Sequence, residues 1–186
     1  MKRFIDIMLS IILMFVLIVP MLFVGLAVRI TSSGPVIHWS RRIGRLNKVI
    51  AMPKFRTMVI KSPDIATHLV DDPKKYLTPI GSFLRKSSLD ELPQLWSVLK
   101  GDMSIVGPRP ALFNQHDLII LRKESGVDKL KPGITGWAQV NGRDELSIFD
   151  KVALDVEYLK KQSFWFDMKI LWMTLFKALK FNEVSH

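Results

Sequence analysis

Two adjacent carboxylates, Asp90 and Glu91, stand shortly ahead of a Pro108-Arg109-Pro110 turn in the stretch SSLDELPQLWSVLKGDMSIVGPRP. Carboxylate oxygens can hold a hard divalent cation. The same residues also fit a plainer reading. Ser88 with Glu91 three positions later has capping-box spacing, and acids suit helix N-termini. Positive side chains at turns complete the set: Lys54, Arg56, Arg85, Arg109 and Arg143. Singly, each is an ordinary solvated cation. Arg109 differs because its flanking prolines fix the backbone that aims it, and Arg143 is presented by an Asn141-Gly142 turn. Rigidly placed guanidinium groups suit bidentate phosphate binding. Beside paired carboxylates they form a magnesium–diphosphate site, with Asp90 and Glu91 as the metal-holding acids.

Composition removes several other chemistries. The chain has 186 residues and no cysteine, so there is no disulfide framework, thiol nucleophile or Cys-ligated zinc. His38, His68, His116 and His186 lack metal-ligand spacing. Neither a Walker A sequence nor a dinucleotide glycine fingerprint occurs. The net charge is +10, and most of it lies beyond residue 30, which points to anionic partners.

The elements that must position these groups begin with an uncharged run over residues 7–28. As a straight helix it reaches ~33 Å, against ~30 Å of bilayer hydrocarbon. A secretory signal is a poorer fit, because the run is too long for a signal core. Pro20 falls inside it and kinks or breaks a helix, leaving pieces too short to cross alone. Basic residues flank both ends: Lys2 and Arg3 before, Arg29, Arg41, Arg42, Arg45 and Lys48 after. Positive charge on both flanks fits both ends staying on the cytoplasmic side. A kinked helix entering and leaving one leaflet satisfies both observations.

Beyond it, residues 36–40 and 49–55 read as two strands joined by a basic turn around Gly44. Residues 59–80, polar and containing Pro63, Pro73 and Pro79, read as a surface loop. Helix is expected over 81–85 and 90–100, with Gly101 as a stop and Pro93 tolerated in the first turn. SIVGPRP reads as a strand end, 111–125 as a helix closed by Gly126, and KPGITGWAQVNGR as a Gly-rich loop. Helices over 146–162 and 164–180 close the chain. In the first, Ile148, Val152, Asp155 and Leu159 share a face, so Asp155 needs a basic partner. The second carries Trp165 and Trp172 among lysines, a pattern suited to a membrane interface. The fold class is α/β, mainly α: an N-terminal re-entrant, Pro-kinked membrane helix, a small β-hairpin and amphipathic interface helices. Residues 1–30 form the membrane helix and 31–186 the catalytic part of one functional unit.

KFRTM, RKSSLDELPQLWSVLKGDMSIVGPRP and KPGITGWAQVNGR, in that order behind KRFID and a Pro-containing apolar run, resemble the bacterial sugar transferase family. These are monotopic polyprenyl-phosphate phosphoglycosyl transferases, and the resemblance runs from Lys2 to about Lys180, in a minimal form. It implies transfer of sugar-1-phosphate from a UDP-sugar to undecaprenyl phosphate with release of UMP, initiating surface glycan synthesis. It implies Asp90 as nucleophile, through a phosphosugar-enzyme intermediate, and Glu91 as a Mg²⁺ ligand. Arg85, Arg109 and Arg143, with Lys54 or Arg56, match positions near the phosphates or uridine, and Asp155 matches the acid of a late D-x-x-Y helix. UDP-sugar, undecaprenyl phosphate, membrane lipids and downstream glycosyltransferases are the implied partners, with no nucleic acid. The implied location is the bacterial cytoplasmic membrane, active site towards the cytosol. His38 and Ser40 depart from the family pattern, which puts an aromatic and then a Gln after Gly34-Pro35. Sugar choice is expected in 59–80, in 111–130 and at Trp137.

Two other readings use the same features. A membrane-tethered basic scaffold or nucleic-acid binder would explain the charge, but the cations are interrupted by Pro and Gly turns rather than lined along one face. A magnesium-dependent pyrophosphatase would use the carboxylates with water as acceptor, yet a soluble diphosphate needs no apolar anchor.

Overall fold

The first helix owes its length to a run of residues that neither cap nor carry charge. In the computed structural model, which describes residues 1–60, 62, 72–142 and 145–179, α1 spans Lys2–Thr31 with Pro20 inside it. At 1.5 Å per residue it is about 45 Å long. One stripe is turned inward at helical spacing: Leu9, Leu13, Leu17, Met21, Val24 and Val28. Its other face exposes Phe4, Ile11, Phe15, Val19, Leu22, Phe23 and Ile30.

The hairpin pairs β1 (Ile37–Ile43) with β2 (Val49–Phe55), antiparallel, from Ile37 opposite Phe55 to Ile43 opposite Val49. The second strand lies where the sequence placed it, and the first extends three residues further. Alternation splits the faces. Phe55 and Ile37 turn towards α1 at Val24 and Val28. The opposite face carries His38, Ser40 and Arg42 beside their partners Lys54, Met52 and Ile50.

α2 (Gly81–Lys86) matches its expected position. The helix expected over 90–100 does not form as one element. A 3-10 turn covers Leu89–Glu91, and α3 begins later, at Gln94–Lys100. The physical reason is Pro93, which has no N–H to give the Leu89 carbonyl and crowds it sterically. The chain runs instead on shorter bonds, Glu91 to Ser88 and Leu92 to Leu89. The capping box is not made either, since Ser88 has left-handed backbone (φ 56°) and forms no side-chain cap. Gly101 ends α3 at φ 98°, as expected.

β3 (Ser104–Val106) pairs in parallel with β4 (Gly133–Thr135), and α5 (Trp137–Val140) follows. The Gly-rich loop of the sequence therefore contains a strand and a short helix. Its glycines allow close approach rather than looseness: a Cβ on Gly133 would lie 2.1 Å from the Gly107 nitrogen. α4 is shorter than expected, His116–Glu124, because Leu112 bridges Arg42 and donates its N–H to Gln115 Oε1. α6 (Ile148–Lys161), capped by Ser147, and α7 (Phe164–Leu179) agree with expectation within two residues. The buried face of α6 centres on Asp155 and Tyr158, whereas Ile148 is exposed.

The main core gathers Met52, Leu95, Val98, Met103, Ile105, Val140, Tyr158 and Ile170 under α1. Each such aliphatic side chain contributes roughly 1.5–3 kcal/mol. The chain is mainly helical with a small antiparallel hairpin and one long apolar N-terminal helix. α7 leaves Trp165, Trp172, Leu175 and Phe176 exposed, the amphipathic face read from sequence.

Candidate active site

Asp90 is placed by a turn that cannot become helix and by the apolar residues on either side of it. Leu89 and Leu92 pack into the cluster of Phe55 and Leu84, which draws the carboxylate inward until Asp90 is only 6% exposed. Around it stand groups from three other elements. Lys54 comes from β2, Arg85 from the last turn of α2, and Arg109 from the Pro-Arg-Pro turn after β3. Arg85 is steadied by its Nε, which donates to Thr57 Oγ1 at 3.0 Å. Glu91 accepts from both terminal nitrogens of Arg109, at 2.7 and 3.4 Å.

The electrostatics of Asp90 are set by its burial and its charged neighbours, since the turn that carries it makes no helix start with a side-chain cap. Burial raises its carboxyl to about 6, Glu91 adds to the rise, and Lys54, Arg109 and Arg85 oppose it. Desolvation is the larger effect here. The same burial lowers Lys54 to about 8, with Arg42 also pushing down and Asp90 pulling up. Arg85 is lowered by burial and held up by Asp90. Two oppositely charged groups thus have values drawn towards neutrality, a pattern common at reactive sites.

Behind the turn a second layer fixes Arg109. Gly133 donates its N–H to the Pro108 carbonyl at 2.9 Å, and Gly107 to the Thr135 carbonyl at 2.8 Å. Arg122 Nη1 donates to the Arg109 carbonyl at 2.7 Å, while its Nε and Nη2 hold Asp155 Oδ2 at 2.9 and 2.7 Å.

The structure therefore brings together Asp90, Glu91, Lys54, Arg85 and Arg109. Arg56 is engaged elsewhere: it is buried, and its guanidinium clamps the Ser32 and Ser33 carbonyls and the Ser32 hydroxyl at the end of α1. Asp155 has the basic partner its apolar face required, in Arg122, and is 1% exposed. Arg143 lies outside the described residues. Trp137 is built into the helix packing, donating Nε1–H to Glu157 at 2.8 Å and resting against Phe166. Ser40, one of the departures from the family pattern, is buried and accepts from Arg42 Nε at 3.1 Å.

Two residues escaped the sequence reading of the site. Arg42 acts electrostatically on Lys54, and strand alternation could have shown it, since both lie on one hairpin face. Arg122 lies on α4 with no local sequence signal of its buried partner Asp155. Among the described residues no group of three or more acids or histidines could hold a metal.

Comparison with known proteins bears on this arrangement. The chain is 41% identical over 186 residues to the UDP-glucose:undecaprenyl-phosphate glucose-1-phosphate transferase of Escherichia coli, covering 95% of this chain and 40% of that protein. It is 42% identical over 178 residues to the uncharacterized sugar transferase EpsL of Bacillus subtilis, covering 96% of this chain and 87% of that one. The undecaprenyl-phosphate galactose phosphotransferase of Salmonella typhimurium is 38% identical over 194 residues, at 93% and 39% coverage. The chain thus spans about two fifths of the longer relatives and most of the shorter one. A family description, bacterial sugar transferase, matches residues 1–181. With that match covering the carboxylate pair, the Pro-Arg-Pro turn and the apolar helix together, the chain belongs to the bacterial sugar transferase family.

Proposed function

We propose that this protein transfers a sugar-1-phosphate from a UDP-sugar to undecaprenyl phosphate, with release of UMP, through a covalent phosphosugar on Asp90. The observation that carries the reading is a buried carboxylate facing Lys54, Arg85 and Arg109 from three separate elements. In the first step an Asp90 oxygen attacks the β-phosphorus, and the bond from that phosphorus to the bridging oxygen breaks. UMP leaves with the bridging oxygen. In the second, a phosphate oxygen of the lipid attacks the same phosphorus, the Asp90–phosphorus bond breaks, and the carboxylate is regenerated. Splitting the transfer this way predicts ping-pong kinetics.

The side chains divide the work. Lys54 and Arg85 flank the nucleophile and balance charge on the diphosphate, while Arg109 presents a planar guanidinium held by Glu91. Exclusion of water around Asp90 strengthens those attractions and limits hydrolysis of the acyl phosphate. Two adjacent acids with no third described acid beside them suit Mg²⁺, which takes one or two carboxylates and completes its shell with phosphate oxygens and water. Glu91 and Asp90 would hold it, and when bound it neutralises charge on the diphosphate. Glucose in one relative's name and galactose in another's make a hexose the first sugar to try. The lipid-linked product would be the starting unit for a surface glycan and the substrate of downstream glycosyltransferases.

The test is direct. Membranes carrying the protein are incubated with undecaprenyl phosphate, Mg²⁺ and a panel of UDP-sugars, and UMP is measured. Release with at least one sugar is expected, and Asp90→Asn should abolish it. Intact-protein mass without the lipid acceptor should show a phosphosugar adduct. No UMP from any sugar, or undiminished UMP from Asp90→Asn, overturns the proposal.

A further inference from the structure

Among the described ion pairs that do not face Asp90, the Arg122–Asp155 pair is the most thoroughly buried. The side chains are 11% and 1% exposed, and the two come from separate helices, α4 and α6. As a stabilising device the pair is poor. Removing two charges from water costs several kcal/mol each, and an apolar pair of similar volume would often do as well. The satisfaction is also incomplete, because Asp155 Oδ1 is buried without a hydrogen-bond partner. Burial raises the Asp155 carboxyl, against the pull of Arg122.

What the pair does provide is a directed donor. With two nitrogens on Asp155, Arg122 has Nη1 left to aim, and it meets the carbonyl of Arg109 at 2.7 Å. That carbonyl lies between two prolines, in a turn that has few backbone donors of its own. On the other side of the same residue, the Arg109 guanidinium reaches Glu91 at 2.7 Å. A continuous chain of contacts thus runs from α6, through α4, to the carboxylate pair. We propose that Arg122, oriented by Asp155, is a positioning residue that sets the Pro108-Arg109-Pro110 turn so that Arg109 meets Glu91 beside Asp90. The inference rests on the transferase reading above and assigns Asp155 a supporting place behind the site rather than a contact with substrate.

The experiment uses the full chain in detergent, with undecaprenyl phosphate, Mg²⁺ and an accepted UDP-sugar. Arg122→Lys keeps the charge but not the three-way geometry, and Asp155→Asn keeps the shape but not the charge. Each is made alone and with Arg109→Gln, and kcat, KM and Tm are recorded. Arg122→Lys is expected to lower kcat/KM about tenfold or more at nearly unchanged Tm. In the Arg109→Gln background the same change should have little further effect, since contacting residues are not additive. Equal fold-losses in both backgrounds overturn the inference. A readout independent of turnover is the rate at which phenylglyoxal modifies Arg109, followed by peptide mass. It should rise several-fold in both single variants, while Arg29 on α1 reacts as before. If both variants melt far below the wild type with Arg109 no more reactive, the pair is structural and the inference fails. If Arg109 reactivity rises but no UDP-sugar yields UMP from the wild type, the transferase reading fails and the turn-setting role stands.

Discussion

At the scale of single residues, the site is built from groups held away from their ordinary protonation behaviour. Asp90 is the clearest case. Three cations act to keep it charged, yet burial and the neighbouring Glu91 raise it to about 6. A carboxyl raised in the folded state binds protons more tightly than in the unfolded chain, so its ionisation works against folding. The favourable contribution of Asp90 is complete below about pH 4 and is lost as pH rises through about 6. Asparagine, which cannot ionise, escapes that loss. We therefore expect Asp90→Asn to match the wild type in Tm near pH 4 and to exceed it by several degrees at pH 7, corresponding to about 1–3 kcal/mol. Thermal unfolding in detergent across that range checks it, and a variant no more stable than wild type at pH 7 would contradict the burial argument. Lost activity with gained stability is the behaviour expected of a strained functional group.

Between elements, the decisive contact is the approach of β3 to β4 and α5. A Cβ on Gly136 would lie 2.0 Å from the Gly107 carbonyl oxygen and 2.7 Å from Gln139 Oε1. Backbone cannot yield there without moving the Pro-Arg-Pro turn that follows Gly107. Gly136→Ala should cost roughly 1–3 kcal/mol or more and depress UMP release even at temperatures where the variant remains folded. Wild-type Tm and turnover in that variant would show the turn to be more compliant than the contact implies. These same residues mark where the sequence became hard to read. β2, α6 and α7 were legible because their apolar residues recur at strand or helix spacing over many positions. β4 and α5 have three and four residues, and their glycines look alike whether they loosen a loop or permit tight packing. The turn at Asp90 was misread as helix because the capping pattern and the later apolar run agreed, and one proline outweighed both. Lys54, Arg85 and Arg109 could be nominated as cations near turns, but their convergence depends on hairpin register and strand pairing across distant segments. Arg122 was invisible for the same reason.

For the whole molecule, the question is how a 30-residue helix, long and apolar enough to cross a membrane, is accommodated beside a charged site. Both ends of α1 are fastened to the same body. At the beginning, Lys2 pairs with Asp167 at 2.6 Å, Arg3 donates to the Val98 and Leu99 carbonyls, and Asp6 accepts from Ser104 and the Ile105 N–H. At the end, Arg56 clamps Ser32 and Ser33 while Val24 and Val28 pack on Phe55 and Leu84. A spanning arrangement would carry Lys2, Arg3 and Asp6 across the bilayer and take them from Asp167, the Val98 and Leu99 carbonyls, Ser104 and the Ile105 N–H. We propose that the apolar outer face of α1 and the exposed tryptophans of α7 are accommodated by a helix that enters and leaves one leaflet, with the rest of the chain seated against it. The sequence has no cysteine, so single reporters can be introduced cleanly. A cysteine tag ahead of Met1, Arg29→Cys and Lys160→Cys should all react with a membrane-impermeant maleimide from the cytosolic side of sealed vesicles. Labelling of the N-terminal tag only from the opposite side would require α1 to cross, and would force the contacts of Lys2, Arg3 and Asp6 to be remade in the membrane.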